Sequence, residues 1–112
     1  MTILHVTRAS DWEAGLAAGT YEISGRDLSL ADEGFVHCSY PHQCAATAAR
    51  IWPDRPDDLV VLVIDEDQVR ADGVEVLDEG TSELFPHIYG AVRPAWVSEV
   101  RPARWEGDTF LW

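Results

Sequence analysis

Residues 59–64 read Leu-Val-Val-Leu-Val-Ile, which is the longest apolar run in the chain. Because this run has no polar position on either face, a strand formed by it must be covered on both sides. We therefore predict that residues 59–64 form the central strand of a sheet. The run is too short to cross a bilayer, which takes about 20 residues, and the N-terminal sequence lacks the basic and apolar regions of a signal peptide. We expect a cytoplasmic protein with no membrane span.

Shorter patterns on both sides of this run predict strands and helices in irregular order. Ahead of it we predict a strand, a helix, a second strand and a second helix, at residues 2–7, 10–18, 34–39 and 42–52. After it we predict a helical turn, two short strands and a closing hairpin, at residues 65–69, 74–77, 86–90 and 97–112, with a polar loop at 79–83. This order indicates one α+β domain, residues 1–112, with two or three helices.

Charge and composition exclude several classes of function. The chain carries a formal net charge of −12 and contains no lysine. The negative charge disfavours nucleic acid as a partner, because lysine and arginine are the residues that bind phosphate backbones. Without lysine there is no Schiff-base chemistry and no Walker-type phosphate loop. Two cysteines do not form a disulfide framework, and Cys38 is either a thiolate nucleophile beside His37 or a buried core residue.

Three of the four histidines precede a hydroxyl side chain by two residues in a predicted strand. The pairs are His5 with Thr7, His37 with Ser39, and His87 with Tyr89. Since side chains at i and i+2 point to the same face of a strand, each pair presents an imidazole and a hydroxyl together. One such pair is ordinarily structural, but three pairs in so short a chain predict a shared polar cleft that binds a small molecule.

Imidazoles in a cleft suit acid–base chemistry near neutral pH. The candidate catalytic residues are His37, His87 and Glu83, a carboxylate four positions before His87. The candidate ligand-binding residues are His5, Thr7, Ser39, Tyr89 and Arg93, the last for a ligand phosphate. The alternatives are that Glu83 is a solvated loop acid and that Arg93 is an exposed arginine on an acidic surface. Three imidazoles also suit zinc, but no histidine pair has a familiar metal-ligand spacing, so we expect no metal.

Two longer motifs carry a family resemblance that covers nearly the whole chain. Residues 34–39, Gly-Phe-Val-His-Cys-Ser, and residues 85–90, Phe-Pro-His-Ile-Tyr-Gly, occur together with Ile3-Leu4-His5 and Trp12. In this combination the sequence resembles the bacterial domain-of-unknown-function family 952. The resemblance implies a distant similarity in fold to the ADP-ribosyltransferases, which are small split-sheet α+β domains that hold NAD in a cleft. It therefore also implies a split mixed or antiparallel sheet in this chain.

The resemblance also implies roles for individual residues. His5-Val6-Thr7 looks like the first-strand pattern that contacts the nicotinamide ribose in those transferases, and residues 35–39 would line the nicotinamide pocket with His37 or Ser39. His87 lies in the segment where many transferases carry a catalytic glutamate. This departure disfavours transfer of ADP-ribose to proteins.

Two functions of different classes remain open at this point. The first is an enzyme for NAD-dependent ADP-ribosyl or glycosyl transfer, or for nucleotide hydrolysis, with NAD as the substrate. The second is a binding module that holds a nucleotide or an anion without turning it over. Both have a small-molecule partner, and neither involves a membrane or nucleic acid.

Overall fold

Ten strands and four α-helices follow one another in irregular order in the computed structural model, which describes residues 1–112. In chain order they are β1 (Thr2–Arg8), α1 (Ala9–Ala18), β2 (Ile23–Gly25), β3 (Leu28–Ser29), α2 (Leu30–Glu33), β4 (Val36–His37), α3 (Cys44–Ile51), β5 (Leu59–Asp65), α4 (Glu66–Ala71), β6 (Val76–Glu79), β7 (Phe85–Ile88), β8 (Val97–Pro102), β9 (Arg104–Glu106) and β10 (Thr109–Leu111). A 3₁₀ turn at Pro94–Trp96 precedes β8.

The apolar run forms β5, the middle strand of a three-stranded antiparallel sheet in the order β1-β5-β8. Val61, Leu62 and Ile64 are fully buried. Leu62 lies opposite His5 on one side and Val100 on the other. The prediction of a central strand is therefore confirmed. The run takes this central place because both of its faces are apolar and are buried there.

A second three-stranded antiparallel sheet has the order β4-β7-β6. In its register His37 lies directly opposite His87. The two sheets meet where Leu4 pairs with Ser39, through two backbone hydrogen bonds of 2.7 Å. This junction brings the histidine of β1 next to the histidines of β4 and β7.

Two buried apolar clusters support this arrangement. The larger one packs α1, α4 and both sheets around the fully buried Tyr21 and Trp96. The smaller one lies under α3 and contains Trp52 and Phe110. The β9–β10 hairpin covers this second cluster, because Phe110 of β10 belongs to the cluster and Trp105 of β9 packs against it.

The structure corrects several of the predicted elements. Every strand pair is antiparallel, so the sheets contain no mixed pairing, and there are four helices where two or three were predicted. The missed helix, α2, begins with a capping box between Ser29 and Asp32. The strand predicted at residues 34–39 is regular only at Val36–His37. In the predicted closing hairpin, only β9 and β10 pair with each other, because β8 pairs with β5.

The resulting molecule is a small α+β domain built from several small antiparallel sheets. None of its helices has the length and apolar character needed to cross a bilayer.

Candidate functional site

A cleft of about 430 Å³ opens where the two three-stranded sheets meet. Its walls come from β1, the β2–β3 hairpin, β4, α3 and the turn that joins β6 to β7. This volume is in the range of pockets that bind small organic ligands. The wall combines apolar surface from residues such as Trp52 and Phe85 with polar side chains from the sheet junction.

The structure brings five of the eight residues predicted from the sequence to this cleft. They are His5, His37, Ser39, Glu83 and His87. The other three, Thr7, Tyr89 and Arg93, do not line it. Thr7 is buried beside the phenol of Tyr21, and Arg93 forms an ion pair of 3.4 Å with Asp72 while its guanidinium lies over Trp96.

The most developed polar contact in the cleft joins His87 to Glu79. The distance from His87 Nδ1 to Glu79 Oε1 is 2.9 Å. Because a carboxylate only accepts hydrogen bonds, Nδ1–H is the donor. Tyr89 donates its hydroxyl to the same oxygen. These two hydrogen bonds hold the pKa of Glu79 below its usual value, and the one from Tyr89 has the larger effect.

The other nitrogen of His87 is left free for chemistry. Nε2 has no hydrogen-bond partner in the protein and is not enclosed, although the residue as a whole is 9% exposed. A neutral imidazole that donates through Nδ1 has a lone pair at Nε2. His87 therefore offers a proton acceptor to the cleft, with a carboxylate behind it to stabilise the protonated ring.

Aromatic contacts fix the orientation of the His87 ring. It stacks on Phe35 with a centroid distance of 4.0 Å and an interplanar angle of 11°. His37 stands edge-on to both rings, at 5.0 Å from His87 and 4.7 Å from Phe35. Phe35 thus holds the imidazoles of two neighbouring strands in one arrangement, and this limits the directions in which Nε2 of His87 can point.

His37 is the more exposed of the two neighbouring imidazoles. Its side chain is 45% exposed, and its Nε2 lies 3.6 Å from Glu33 Oε1. Partial burial lowers the pKa of His37, and the nearby His87 lowers it further, while Glu33 acts in the opposite direction. The ring is therefore predominantly neutral at pH 7, when it can both donate and accept a hydrogen bond.

His5 differs from the other two because both of its ring nitrogens are used inside the protein. Nδ1 donates to the backbone carbonyl of His37, and Nε2 accepts from the hydroxyl of Tyr21 at 2.7 Å. Complete burial lowers the pKa of His5 to about 4. The ring is therefore neutral at pH 7 and connects β1 to β4 in the wall of the cleft. No nitrogen of His5 is free to bind the ribose of a ligand.

Glu83, the predicted catalytic carboxylate, is engaged elsewhere. Gln43 donates its amide to Glu83 Oε2 at 2.9 Å and to the carbonyl of Leu84 at 2.8 Å. The acid that reaches His87 is Glu79, which lies in the predicted loop at residues 79–83 but ends β6 in the structure. In the register of β6 and β7, Glu79 is the diagonal neighbour of His87, since Leu77 lies directly opposite. The strand register, and not spacing along the sequence, therefore identifies Glu79 as the partner of His87.

Cys38 does not fit the role of a nucleophile. It is buried, and burial is the main reason that the pKa of its thiol lies far above the usual value. A neutral thiol is a weak nucleophile. The acid–base groups of the cleft are therefore not accompanied by an activated cysteine. No group of three or more histidine, cysteine, aspartate or glutamate side chains has the arrangement of a metal site.

Comparisons with known proteins agree with this fold. A family model described as "Protein of unknown function (DUF952)" matches residues 6–100. The crystal structure of protein CC0527 from Caulobacter crescentus is similar, with a TM-score of 0.79 and 26% identity over 96% of this chain and 90% of that one. A double mutant of the same protein gives a TM-score of 0.81 at 27% identity over the same shares of the two chains. Its solution structure gives 0.74 at 27% identity, over 97% of this chain and 90% of that one. No curated protein matches the chain.

Proposed function

The chain belongs to the DUF952 family of proteins of unknown function, and we propose that its cleft is an active site. In this proposal His87 is the general base that deprotonates the group attacking a nucleotide. NAD is the proposed substrate, and transfer of its ADP-ribosyl group to water or to another small acceptor is the proposed reaction. The observation that carries this proposal is the Glu79–His87 pair, whose free Nε2 opens into a cavity large enough for part of a nucleotide.

The proposed step is a single displacement at the nicotinamide ribose. Nε2 of His87 accepts a proton from water while the water oxygen forms a bond to the ribose C1′. The bond from C1′ to the nicotinamide nitrogen breaks, and its electron pair stays on that nitrogen, so neutral nicotinamide leaves. Glu79 stabilises the imidazolium that forms, and Tyr89 holds Glu79 in place. A well-placed general base contributes roughly 10²–10⁴-fold.

The architecture is compatible with the ADP-ribosyltransferase resemblance. Two small antiparallel sheets meet at the pairing of Leu4 with Ser39, and the cleft lies at this junction. The role of His5 in the proposal differs from the pattern of those transferases. Because both nitrogens of His5 bind protein groups, we propose that it positions the strand that carries His37 instead of contacting the substrate ribose.

The test is the release of nicotinamide from NAD by the wild type and three variants. We expect His87→Gln to lower the rate at least about 10²-fold, because glutamine is not a base. Glu79→Gln lowers it less, since the base remains but its protonated form loses the carboxylate. His42→Gln is the matched control, because His42 is exposed and lies outside the cleft. A His87→Gln rate equal to the wild-type rate would contradict the proposal.

A binding module is the second candidate, and the cleft itself favours it in one respect. Arg50 lines the cleft without a carboxylate partner, so the cleft can hold an anion whether or not His87 turns it over. Wild-type protein that binds NAD in a titration and releases no nicotinamide above background would establish this function in place of catalysis.

A further inference from the structure

Arg50 is unusual among the arginines of this chain. Seven of the eight arginines lie within ion-pair distance of a carboxylate. Arg50, in the last turn of α3, has neither an ion pair nor a hydrogen bond, although the chain contains 20 acidic residues. Its guanidinium carbon lies 5.5 Å from the centre of the Phe85 ring. A cation without a counter-ion is thus kept on the wall of the cleft.

The carboxylates near the cleft have other partners. Glu33 faces the imidazole of His37, Glu79 binds His87 and Tyr89, and Glu83 accepts from Gln43. None of these three acids contacts Arg50. The positive charge is close enough to His37 to contribute to its lowered pKa. An incoming oxyanion would therefore gain an arginine partner without displacing an internal salt bridge.

Hydroxyl groups line the same cleft from several of its walls. Thr47 lies one helical turn before Arg50 on α3, and both side chains line the cavity. Thr81 and Ser82 line it from the turn between β6 and β7. Ser24, in β2, also lines the cavity, and its fully buried hydroxyl has no hydrogen-bond partner. Donors on several walls suit the tetrahedral oxygens of a phosphate better than the planar pair of a carboxylate.

We propose that Arg50 is the phosphate-binding residue of the cleft and that the ligand is therefore a phosphate-bearing nucleotide and not a nucleoside. Thr47, Thr81 and Ser82 supply further hydrogen bonds to the phosphate oxygens. This inference deepens the proposed function, on which it rests for the identity of the nucleotide. The binding itself does not require catalysis, because an arginine binds a phosphate whether or not His87 transfers a proton.

Calorimetric titration with ADP-ribose, inorganic pyrophosphate, malonate and adenosine tests the inference. We expect the wild type to bind ADP-ribose and pyrophosphate more tightly than malonate. Arg50→Gln should weaken binding of the two phosphate ligands at least about tenfold, because it removes charge-assisted hydrogen bonds. It should leave any adenosine binding unchanged. Arg50→Lys should retain part of the affinity, since lysine keeps the charge but not the two-pronged geometry.

Arg104→Gln is the matched control. It removes the same charge from a side chain that is 70% exposed on the β9–β10 hairpin, outside the cleft. Its affinities should equal those of the wild type, and the thermal unfolding of each variant should show that the fold is intact. The inference is overturned if Arg50→Gln binds pyrophosphate as the wild type does, if malonate binds as tightly, or if neither phosphate ligand binds the wild type.

The titration and the nicotinamide assay separate the two proposals. Arg50-dependent binding of ADP-ribose without nicotinamide release supports the phosphate site and refutes the catalytic proposal. Nicotinamide release that Arg50→Gln leaves unchanged supports the catalytic proposal and refutes the phosphate site.

Discussion

Because His5 is buried and neutral, we predict that acid destabilises the folded protein and that replacing His5 removes this effect. Its ring is held between the carbonyl of His37 and the hydroxyl of Tyr21, and burial lowers its pKa from 6.5 to about 4. In the unfolded chain the same imidazole titrates near 6.5. As pH falls below 6.5 the unfolded state therefore takes up a proton that the folded state refuses, and stability is lost.

The size of this loss follows from the two pKa values. The difference between the pKa values of the unfolded and folded states corresponds to about 3 kcal/mol when both states have been protonated, at about 1.36 kcal/mol for each tenfold change in proton affinity. At pH 5 the unfolded state is almost fully protonated and the folded state is not, so about 2 kcal/mol is already lost. The loss begins near pH 6.5, continues to about pH 4 and is complete below that. Above pH 7 the effect of His5 is constant.

Urea unfolding, followed by tryptophan fluorescence at pH 7.5 and pH 5, measures this effect. Both values lie above the sequence pI of about 4.4, where loss of net charge favours precipitation. His5→Gln is the perturbation, because glutamine keeps an acceptor for the Tyr21 hydroxyl at the place of Nε2 but does not titrate. We expect the variant to be less stable than the wild type at pH 7.5, and this difference to shrink by about 2 kcal/mol at pH 5.

The exposed His42 supplies the control, since His42→Gln replaces an imidazole outside the cleft and the core. Its unfolding curves should follow those of the wild type at both pH values. If the difference between the wild type and His5→Gln were the same at pH 7.5 and pH 5, His5 would not be held neutral in the folded protein. The hydrogen-bonded connection from Tyr21 through His5 to β4 would then be wrong.

Three further outcomes are expected. Gly80→Ala should destabilise the protein by about 1–3 kcal/mol more than Gly73→Ala in urea unfolding, because a Cβ at Gly80 would lie 2.0 Å from a backbone oxygen whereas Gly73 has open space; equal losses would contradict this. Cys38 and Cys44 should resist a thiol-specific disulfide reagent at pH 8 and react in urea, because burial raises both thiol pKa values, that of Cys44 to about 12; rapid labelling of folded protein would refute it. Leu62→Ala should cost about 2–5 kcal/mol in the same urea assay, since Leu62 is fully buried in the central strand, and a loss below 1 kcal/mol would show that the site is not tightly packed.

Features that depend on neighbouring residues along the chain were predictable from the sequence. The run at residues 59–64 is apolar on both faces, and this property alone requires a strand covered on both sides. The end of α1 was also predictable from nearby residues, because Gly19 takes a left-handed conformation, with φ of 88°, that other residues avoid. The hydroxyl residues two positions after His37 and His87 also predicted a cleft from local sequence, since side chains two residues apart lie on the same face of a strand.

The composition of the cleft depended on contacts between distant segments. Glu79 and Glu83 are both plausible partners for His87 when only spacing is known, and Glu83 is the predicted one. The register of β6 against β7 decides for Glu79, while Gln43, 40 positions away, binds Glu83. The arginines give a second example. Arg93 is the predicted ligand-binding arginine, but Arg50 is the one that lines the cleft, because the place of Arg50 depends on how α3 packs on the sheets.

The sequence by itself determined the α+β class, the central strand and the set of histidines that meet in the cleft, because burial patterns and strand alternation act over a few residues. The tertiary structure alone decided that His5 is a neutral structural residue, that His87 has a carboxylate behind it, and that Arg50 has no counter-ion. Hydrogen bonding, desolvation and charge pairing depend on atoms brought together from segments far apart in the chain. These energies are set by strand register and sheet packing, which no short stretch of sequence specifies.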